Sequence, residues 1–195
     1  INQCKKGDAD INYAELDNGF KSGMQSYCEP RNAYDVGRKG LRLTYNMCNE
    51  GLHRSLRVQY KRGLNDLCQP QAGYDFGAQG SKYSNICSKE QEKKFLPKYK
   101  SGRRVFLLQT INNKQQEINA LQNEQSLYER KLVGLNINLN RMAHVNTTEN
   151  HEARARKNNL SRDVRKYQGK LDQVLSEKKQ LRKDIAALNI ELRGL

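Results

Sequence analysis

Five cysteines are the residues of this 195-residue chain whose chemistry is most constrained. Metal sites usually pair Cys or His ligands at short spacing, but no Cys-x-x-Cys pair occurs here, and His53, His144 and His151 do not lie at ligand spacing from the cysteines. A catalytic thiol is not indicated either, because the cysteines recur within a repeat. We therefore expect disulfide bonds, and neither a metal nor another cofactor.

The pairing follows from helix geometry. Cys48 and Cys68 flank a predicted helix over 53–67, which alone spans roughly 20 Å, whereas the Cα atoms of a disulfide lie within about 7 Å. The same reasoning disfavours a bond between Cys4 and Cys28. Of the pairings that remain, the one consistent with the repeat is Cys28–Cys48 and Cys68–Cys87, with loops worth on the order of 3 kcal/mol each. Cys4 is left free, paired with another chain, or paired with an upstream segment. Such bonds indicate an oxidising compartment.

Residues 28–40 and 68–80 are two copies of one pattern, Cys-x-Pro followed by Tyr-Asp-x-Gly-x-x-Gly. A second pattern, Leu/Phe-x-x-x-Tyr/Phe-x-x-Gly, occurs three times, beginning at Leu16, Leu56 and Phe95. Identity and spacing agree, so we predict repeats over about 13–48 and 53–87 and a partial third over 92–102.

Apolar residues on one helical face predict helices over 13–27 and 53–67. The Tyr-x-x-Gly-x-x-Gly segments have two interpretations, a turn or a short helix whose glycines leave room for a partner backbone or an aromatic ring. We favour the short helix. If the tyrosines are exposed, Tyr34, Tyr60, Tyr74 and Tyr99 form a candidate binding face; the competing interpretation places them in the core.

The composition changes near Gly102-Arg103. Residues 1–102 contain all five cysteines, all three prolines and 11 of the 14 aromatic residues, and residues 103–195 contain neither Cys nor Pro. Hydrophobic residues make up 36%, there is no Trp, and the net charge of +14 is spread over both halves. A single large core is therefore not expected, and no apolar run reaches the roughly 18 residues of a membrane-spanning helix.

Residues 103–195 contain two arrays of seam positions at alternating spacings of four and three. One runs from Ile111 to Met142, and the other from Leu160 to Leu195, where ten of eleven positions are apolar or aromatic. Such arrays predict a coiled coil. A buried helix of a globular core is the alternative, which the scarcity of other hydrophobic residues disfavours.

Two arrangements fit the arrays, a continuous self-associating helix or an antiparallel hairpin that turns near 146–153. In a hairpin the numbers of facing residues have a constant sum, and seam pairs such as Leu132 with Tyr167 sum to 299. We favour the hairpin, with arms of roughly 60 Å.

This register makes a specific prediction about two polar residues in the seam. Lys178 faces Leu121 and Lys114 faces Ile185, so each lysine stem is expected to lie along the seam while its ammonium reaches water.

The stretch 154–170 carries seven basic residues against one acid, Asp163. It is interpreted as a solvated helix face; the alternative is a site for an anionic partner, such as nucleic acid, lipid head groups or an acidic protein. Tyr167 is the only aromatic residue in the stretch, which disfavours base stacking. We expect no nucleic-acid partner.

The glycine and tyrosine pattern with its flanking cysteines, including Tyr60-x-x-Gly63-Leu64-x-x-Leu67-Cys68 and Phe95-x-x-x-Tyr99-x-x-Gly102, resembles a known family over about residues 28–102. The family consists of short bacterial cell-envelope lipoproteins known only as a domain of unknown function. The resemblance implies export and a lipid anchor on an upstream cysteine, which is not carried over to Cys4. It implies no activity.

The expected fold is all-α, with a small disulfide-stapled helical repeat domain over 1–102 and a long antiparallel coiled-coil hairpin over 103–195. No nucleophile–His–acid set, phosphate loop or carboxylate pair is visible, so we expect no enzyme. We expect a structural or interaction protein of the bacterial envelope, periplasmic or associated with the outer membrane through a lipid anchor outside this chain. Its partners would be envelope proteins in a larger assembly, and the rod is compatible with oligomers. The alternative is a glycan- or peptide-binding module that uses the tyrosine face.

Overall fold

The computed structural model describes residues 13–143 and 151–195. Within these ranges the chain forms six α-helices and a short 3-10 turn, and no strand. The all-α class is thus confirmed. The elements are α1 (Tyr13–Tyr27), α2 (Pro30–Arg38), the 3-10 turn (Glu50–Leu52), α3 (His53–Leu67), α4 (Pro70–Ala78), α5 (Lys89–Met142) and α6 (His151–Arg193). None of these helices is long and apolar enough to cross a membrane.

The chain divides into two compact units, Ile1–Arg104 and Val105–Leu195. Helix α5 contributes residues to both. The sequence places the division two residues earlier, where cysteine and proline disappear from the composition.

In the first unit, α1 and α3 have the bounds that apolar periodicity predicts. Both Tyr-x-x-Gly-x-x-Gly segments are short helices, α2 and α4, and the alternative of a turn is wrong. Proline stands at the start of each short helix, where its missing N–H costs no hydrogen bond. Gly40 follows α2 with φ +66, and the N–H of Leu41 bonds to the carbonyl of Val36. This is a Schellman cap, which requires a left-handed residue.

Two small cores hold the first unit together. The first contains Ala33, Cys48 and Leu56, and the second contains Leu67, Phe95 and Tyr99. One disulfide lies beside each core. Such a crosslink is expected where a core is too small to stabilise the fold by apolar burial alone. Leu67 ends α3, yet it is buried in the second core, so α3 belongs to both.

The second unit is an antiparallel pair made of α6 and the part of α5 after residue 104. Lys114 contacts Asp184, Lys131 contacts Tyr167, and Lys178 contacts Gln122 and Gln125. These pairs, together with the ring contacts of Tyr128, have number sums from 295 to 303, centred on the predicted 299. Every position of both seam arrays is buried or half-buried. The pairing and its register agree with the hairpin prediction.

The predicted turn over 146–153 is only partly within the described residues. Helix α6 begins at His151, so residues 151–153 are helical rather than part of a turn. Residues 146–150 lie outside the described ranges.

The structure contradicts the prediction for one of the two seam lysines. Lys178 is only 5% exposed, so the expectation that its ammonium reaches water is wrong. Its Nζ donates to Oε1 of Gln125 at 2.7 Å and also to Oε1 of Gln122. Lys114 is partly exposed but forms an ion pair with Asp184 at 2.8 Å. Both cations are therefore held by side chains of the opposite helix.

Candidate functional site

The Tyr-x-x-Gly motif occurs on both helices of each packed pair. In the first module (α2, α3 and the Cys28–Cys48 disulfide), a methyl group on Gly37 would lie 2.3 Å from the carbonyl oxygen of Tyr60. Reciprocally, a methyl group on Gly63 would lie 2.1 Å from the carbonyl oxygen of Tyr34. Such distances are far inside van der Waals contact. The two backbones therefore meet where each helix has glycine, and no other residue fits there without movement.

The second module (α4, residues 89–104 of α5 and the Cys68–Cys87 disulfide) repeats this crossing. A methyl group on Gly77 would lie 2.3 Å from the carbonyl oxygen of Tyr99, and one on Gly102 would lie 2.0 Å from that of Tyr74. The glycines were predicted to leave room for a partner backbone or an aromatic ring, and at the first glycine of each Tyr-x-x-Gly-x-x-Gly segment the space is filled by a partner backbone.

Tyrosine hydroxyls form hydrogen bonds between the segments around each helix crossing. Tyr60 donates to the carbonyl of Leu41 at 3.1 Å, and Tyr99 donates to that of Ser81 at 3.2 Å. Leu41 and Ser81 each follow the capping glycine of a short helix. In each module the longer helix is thus hydrogen-bonded to the segment that directly follows the short helix.

Tyr34 uses its side chain differently. Its hydroxyl donates to the carboxylate of Asp66 at 2.7 Å. This hydrogen bond, reinforced by burial, raises the pKa of Tyr34 above its ordinary value because it favours the protonated phenol. The bond joins α2 to the last turn of α3.

Tyr83 makes both side-chain hydrogen bonds and ring contacts in the second core. Its hydroxyl donates to Glu92 at 2.8 Å and accepts from the N–H of Cys87 at 3.1 Å. Burial is the main reason that the pKa of Tyr83 lies above its ordinary value. Its ring lies 4.9 Å from that of Phe95, centroid to centroid. The pattern Tyr83-x-x-x-Cys87 is visible in the sequence and belongs to the motifs of the family resemblance, but it did not predict these hydrogen bonds.

Both predicted disulfides are present. Cys28 bonds to Cys48 and Cys68 bonds to Cys87, with Cα separations of 5.6 and 5.7 Å. Each bond links a cysteine two residues before a short helix to the segment before the following long helix. Cys4 lies outside the described residues.

The four tyrosines of the candidate binding face lie at two separate helix crossings. Tyr34 and Tyr60 flank the first crossing, and Tyr74 and Tyr99 flank the second. Tyr99 is only 9% exposed, and the other three are half-buried. Their carbonyls contact glycines of the opposite helix, so the motif serves helix packing in both modules.

Helix α1 carries the same pattern, but none of the helices in residues 13–143 and 151–195 covers it. Leu16 and Phe20 are each 63% exposed, and none of the described residues comes within 4 Å of a methyl group placed on Gly23. The equivalent residues of α3 are Leu56, which is fully buried, and Gly63, which lies against α2.

Possible metal ligands are not clustered in the described residues. Among residues 13–143 and 151–195 no group of three or more His, Cys, Asp or Glu side chains could hold a metal ion. A cavity of about 400 Å³ beside the first disulfide is lined partly by apolar side chains, among them Met24, Met47 and Leu52. Six of the seven basic residues of 154–170 are exposed, as the solvated-face interpretation expects.

The sequence matches the family described as "Protein of unknown function (DUF2799)" twice, over residues 1–65 and over residues 54–104. Together the two matches cover just over half of the chain. The chain belongs to this family. The DUF2799 matches include α1 and both modules, so the first repeat is part of the family region although the resemblance noted from the sequence begins near residue 28. No curated protein and no solved structure matches the chain significantly.

Proposed function

We propose that this DUF2799 protein is a non-enzymatic interaction protein of the bacterial cell envelope. Its stapled helical domain docks to one partner protein, and its helix pair, acting as a coiled-coil rod, contacts another. The observation that carries this proposal is that the glycines and tyrosines of the repeated motif serve helix crossings. The protein would therefore act through its surfaces and not through a reactive pocket.

The location rests on the disulfides and on the resemblance. Two disulfides in a small domain suit an exported protein, because cytosolic thiols are kept reduced. We place the protein in the periplasm or at the outer membrane, held by a lipid anchor on a cysteine upstream of this chain. Metabolic labelling with a fatty acid, followed by cell fractionation, tests the anchor.

Site-specific photo-crosslinking in living cells tests the interaction role. Val58 on α3 is 57% exposed and Val133 on α5 is 60% exposed, so a photoreactive residue at either site leaves both cores intact. We expect each site to capture a different envelope protein. Capture of no protein at either site, or only of further copies of this chain, would contradict the proposal.

The alternative, a glycan- or peptide-binding module, requires an accessible tyrosine face. The burial of Tyr99 counts against a face that includes all four tyrosines. Binding of envelope glycans that is lost in Tyr34→Ala and Tyr74→Ala variants with native disulfides would favour this alternative.

A further inference from the structure

The face of α1 that carries Leu16, Phe20 and Gly23 (the α1 face) occurs three times in this chain. The same residue types recur 40 positions later as Leu56, Tyr60 and Gly63 on α3, and 39 positions after that as Phe95, Tyr99 and Gly102 on α5. Two of the three faces are covered, each by a short helix that starts with proline and carries Tyr-x-x-Gly. The chain itself therefore shows what covers such a face.

The burial of equivalent positions differs sharply. Leu56 and Phe95 are 0% exposed, whereas Leu16 is 63% exposed. A methyl group on Gly63 or Gly102 would lie within 2.1 Å of a carbonyl of the covering helix, whereas around Gly23 the space is open. Among the described residues the α1 face stays exposed, although an exposed Leu and Phe beside a helix-interior glycine do not stabilise a helix.

The α1 face is also continuous with an interface that already exists. Tyr27, one turn beyond Gly23, packs against the first core and donates to the carbonyl of Thr44 at 2.5 Å. Leu67, its equivalent on α3, packs in the same way into the second core. In α3 the last turn packs into the following, second module, and the preceding turns pack against the short helix α2. In α1 only the first of these two contacts is made.

We propose that the α1 face binds a short Tyr-x-x-Gly helix of the α2 and α4 type, supplied by another protein of the same family. This inference rests on the proposed docking role and names its surface and partner. A second copy of this chain does not fit, because the motif Tyr-Asp-x-Gly-x-x-Gly occurs only twice in the sequence and both short helices already cover α3 and α5. Exchange between copies would uncover one face for each face covered.

A synthetic peptide of residues 68–82, with Cys68 replaced by Ser, serves as the probe. It is added at up to millimolar concentration to the ¹⁵N-labelled full chain, because an isolated helix of this length is only marginally formed. We expect chemical-shift changes in the amides of α1, with those of α3 and α5 unchanged.

Two substitutions on α1 provide matched variants. Both Gly19 and Gly23 are open to solvent, so alanine at either position keeps the fold and favours the helix. Gly23→Ala should weaken binding by at least about tenfold, because its methyl group would meet the peptide carbonyl. Gly19→Ala should bind as the native chain does, and a Gly77→Ala peptide should not bind.

Equal binding by the Gly19→Ala and Gly23→Ala chains, or no shifts in α1, would overturn the inference. A dimer of the chain alone that is lost in Gly23→Ala would also overturn it by identifying a second copy as the occupant. These failures are distinct from failure of the proposed function, because photo-crosslinking at Val58 and Val133 reports other surfaces.

Discussion

Lys178 offers the sharpest test of how the helix pair is held in register. Its side chain lies in the seam, 5% exposed, beside Val174, which is 4% exposed. The ammonium donates to Oε1 of Gln122 and of Gln125 on the opposite helix. The change in unfolding free energy therefore depends on whether a substitution removes the lysine or its glutamine partners.

Removing the two glutamine partners leaves a buried cation without acceptors. A Gln122→Ala, Gln125→Ala chain should therefore lose about 1–3 kcal/mol of unfolding free energy. Removing the cation is different, because Gln122 is exposed and Gln125 half-buried, so both amides can turn to water. Lys178→Met, which keeps the length of the side chain and adds apolar burial, should stabilise the protein by on the order of 1 kcal/mol.

Urea denaturation of the full chain at neutral pH, followed by far-UV circular dichroism, measures these changes. The chain with all three substitutions completes a double-mutant cycle. It should be as stable as the Lys178→Met chain, which corresponds to a coupling energy of about 1–3 kcal/mol. A Lys178→Met chain that loses as much stability as the chain without the glutamines would refute the reasoning, because the hydrogen bonds would then outweigh burial of the cation.

The same substitution should weaken register. In a Cys4→Ser background, cysteines at positions 132 and 167 should crosslink within one chain, whereas cysteines at 139 and 167 should crosslink only after a slip of seven residues. We expect the second crosslink to appear with Lys178→Met and to stay absent with Lys178 in place. Crosslinks only between chains would contradict the intramolecular pairing.

Three further changes test other parts of the structure. Gly63→Ala should destabilise the first unit by about 1–3 kcal/mol, since its methyl group would meet a backbone oxygen at 2.1 Å; Gly23→Ala should instead stabilise it by about 0.5–1 kcal/mol, and a similar loss for both would contradict the crossing. The hydrogen bond from Lys114 holds the pKa of Asp184 below its usual range, so its contribution is present above the unfolded pKa of about 3.9 and is lost as pH falls through the lower folded value. Asp184→Asn should thus reduce the loss of unfolding free energy at acid pH. An unchanged pH dependence would show that this ion pair does not cause that loss. Replacing Cys68 and Cys87 by serine opens a 19-residue loop and should cost about 3 kcal/mol; an unchanged thermal midpoint would show that the second core does not need its disulfide.

The sequence predicts the helices and disulfides well because their signals are local. Proline at the start of α2 and glycine after its end are read directly from the chain, and both act on the backbone conformation of a few residues. The pairing of Cys28 with Cys48 follows from the length of one helix. These predictions needed no knowledge of which helices pack together.

The packing partner is what local signals could not supply. The repeat suggests units over 13–48 and 53–87, yet the packed modules join α2 to α3 and α4 to α5, across the boundaries of those repeats. A glycine shows that something approaches closely, but its spacing does not reveal whether the partner precedes or follows it. The available signal was the occurrence of Tyr-x-x-Gly on both helices of a pair.

The error at Lys178 has a similar origin. Seam arithmetic pairs position 178 with Leu121 and says nothing of residues beside the seam. Gln122 is one residue away from the facing position, close enough for its amide to reach a cation inside the seam. A long polar side chain in a seam has two outcomes, reaching water or finding an acceptor on the opposite helix, and the acceptor decides between them.

Because α3 contributes to both modules of the first unit, we expect the two modules to unfold together. Leu67 belongs to α3, which packs on α2, but it is buried in the second core with Phe95 and Tyr99. A methyl group on Gly40, the cap of α2, would lie 2.7 Å from Ile86, which packs against that second core. Opening one module therefore exposes apolar surface of the next, as in repeat proteins whose stability resides in contacts between neighbouring units.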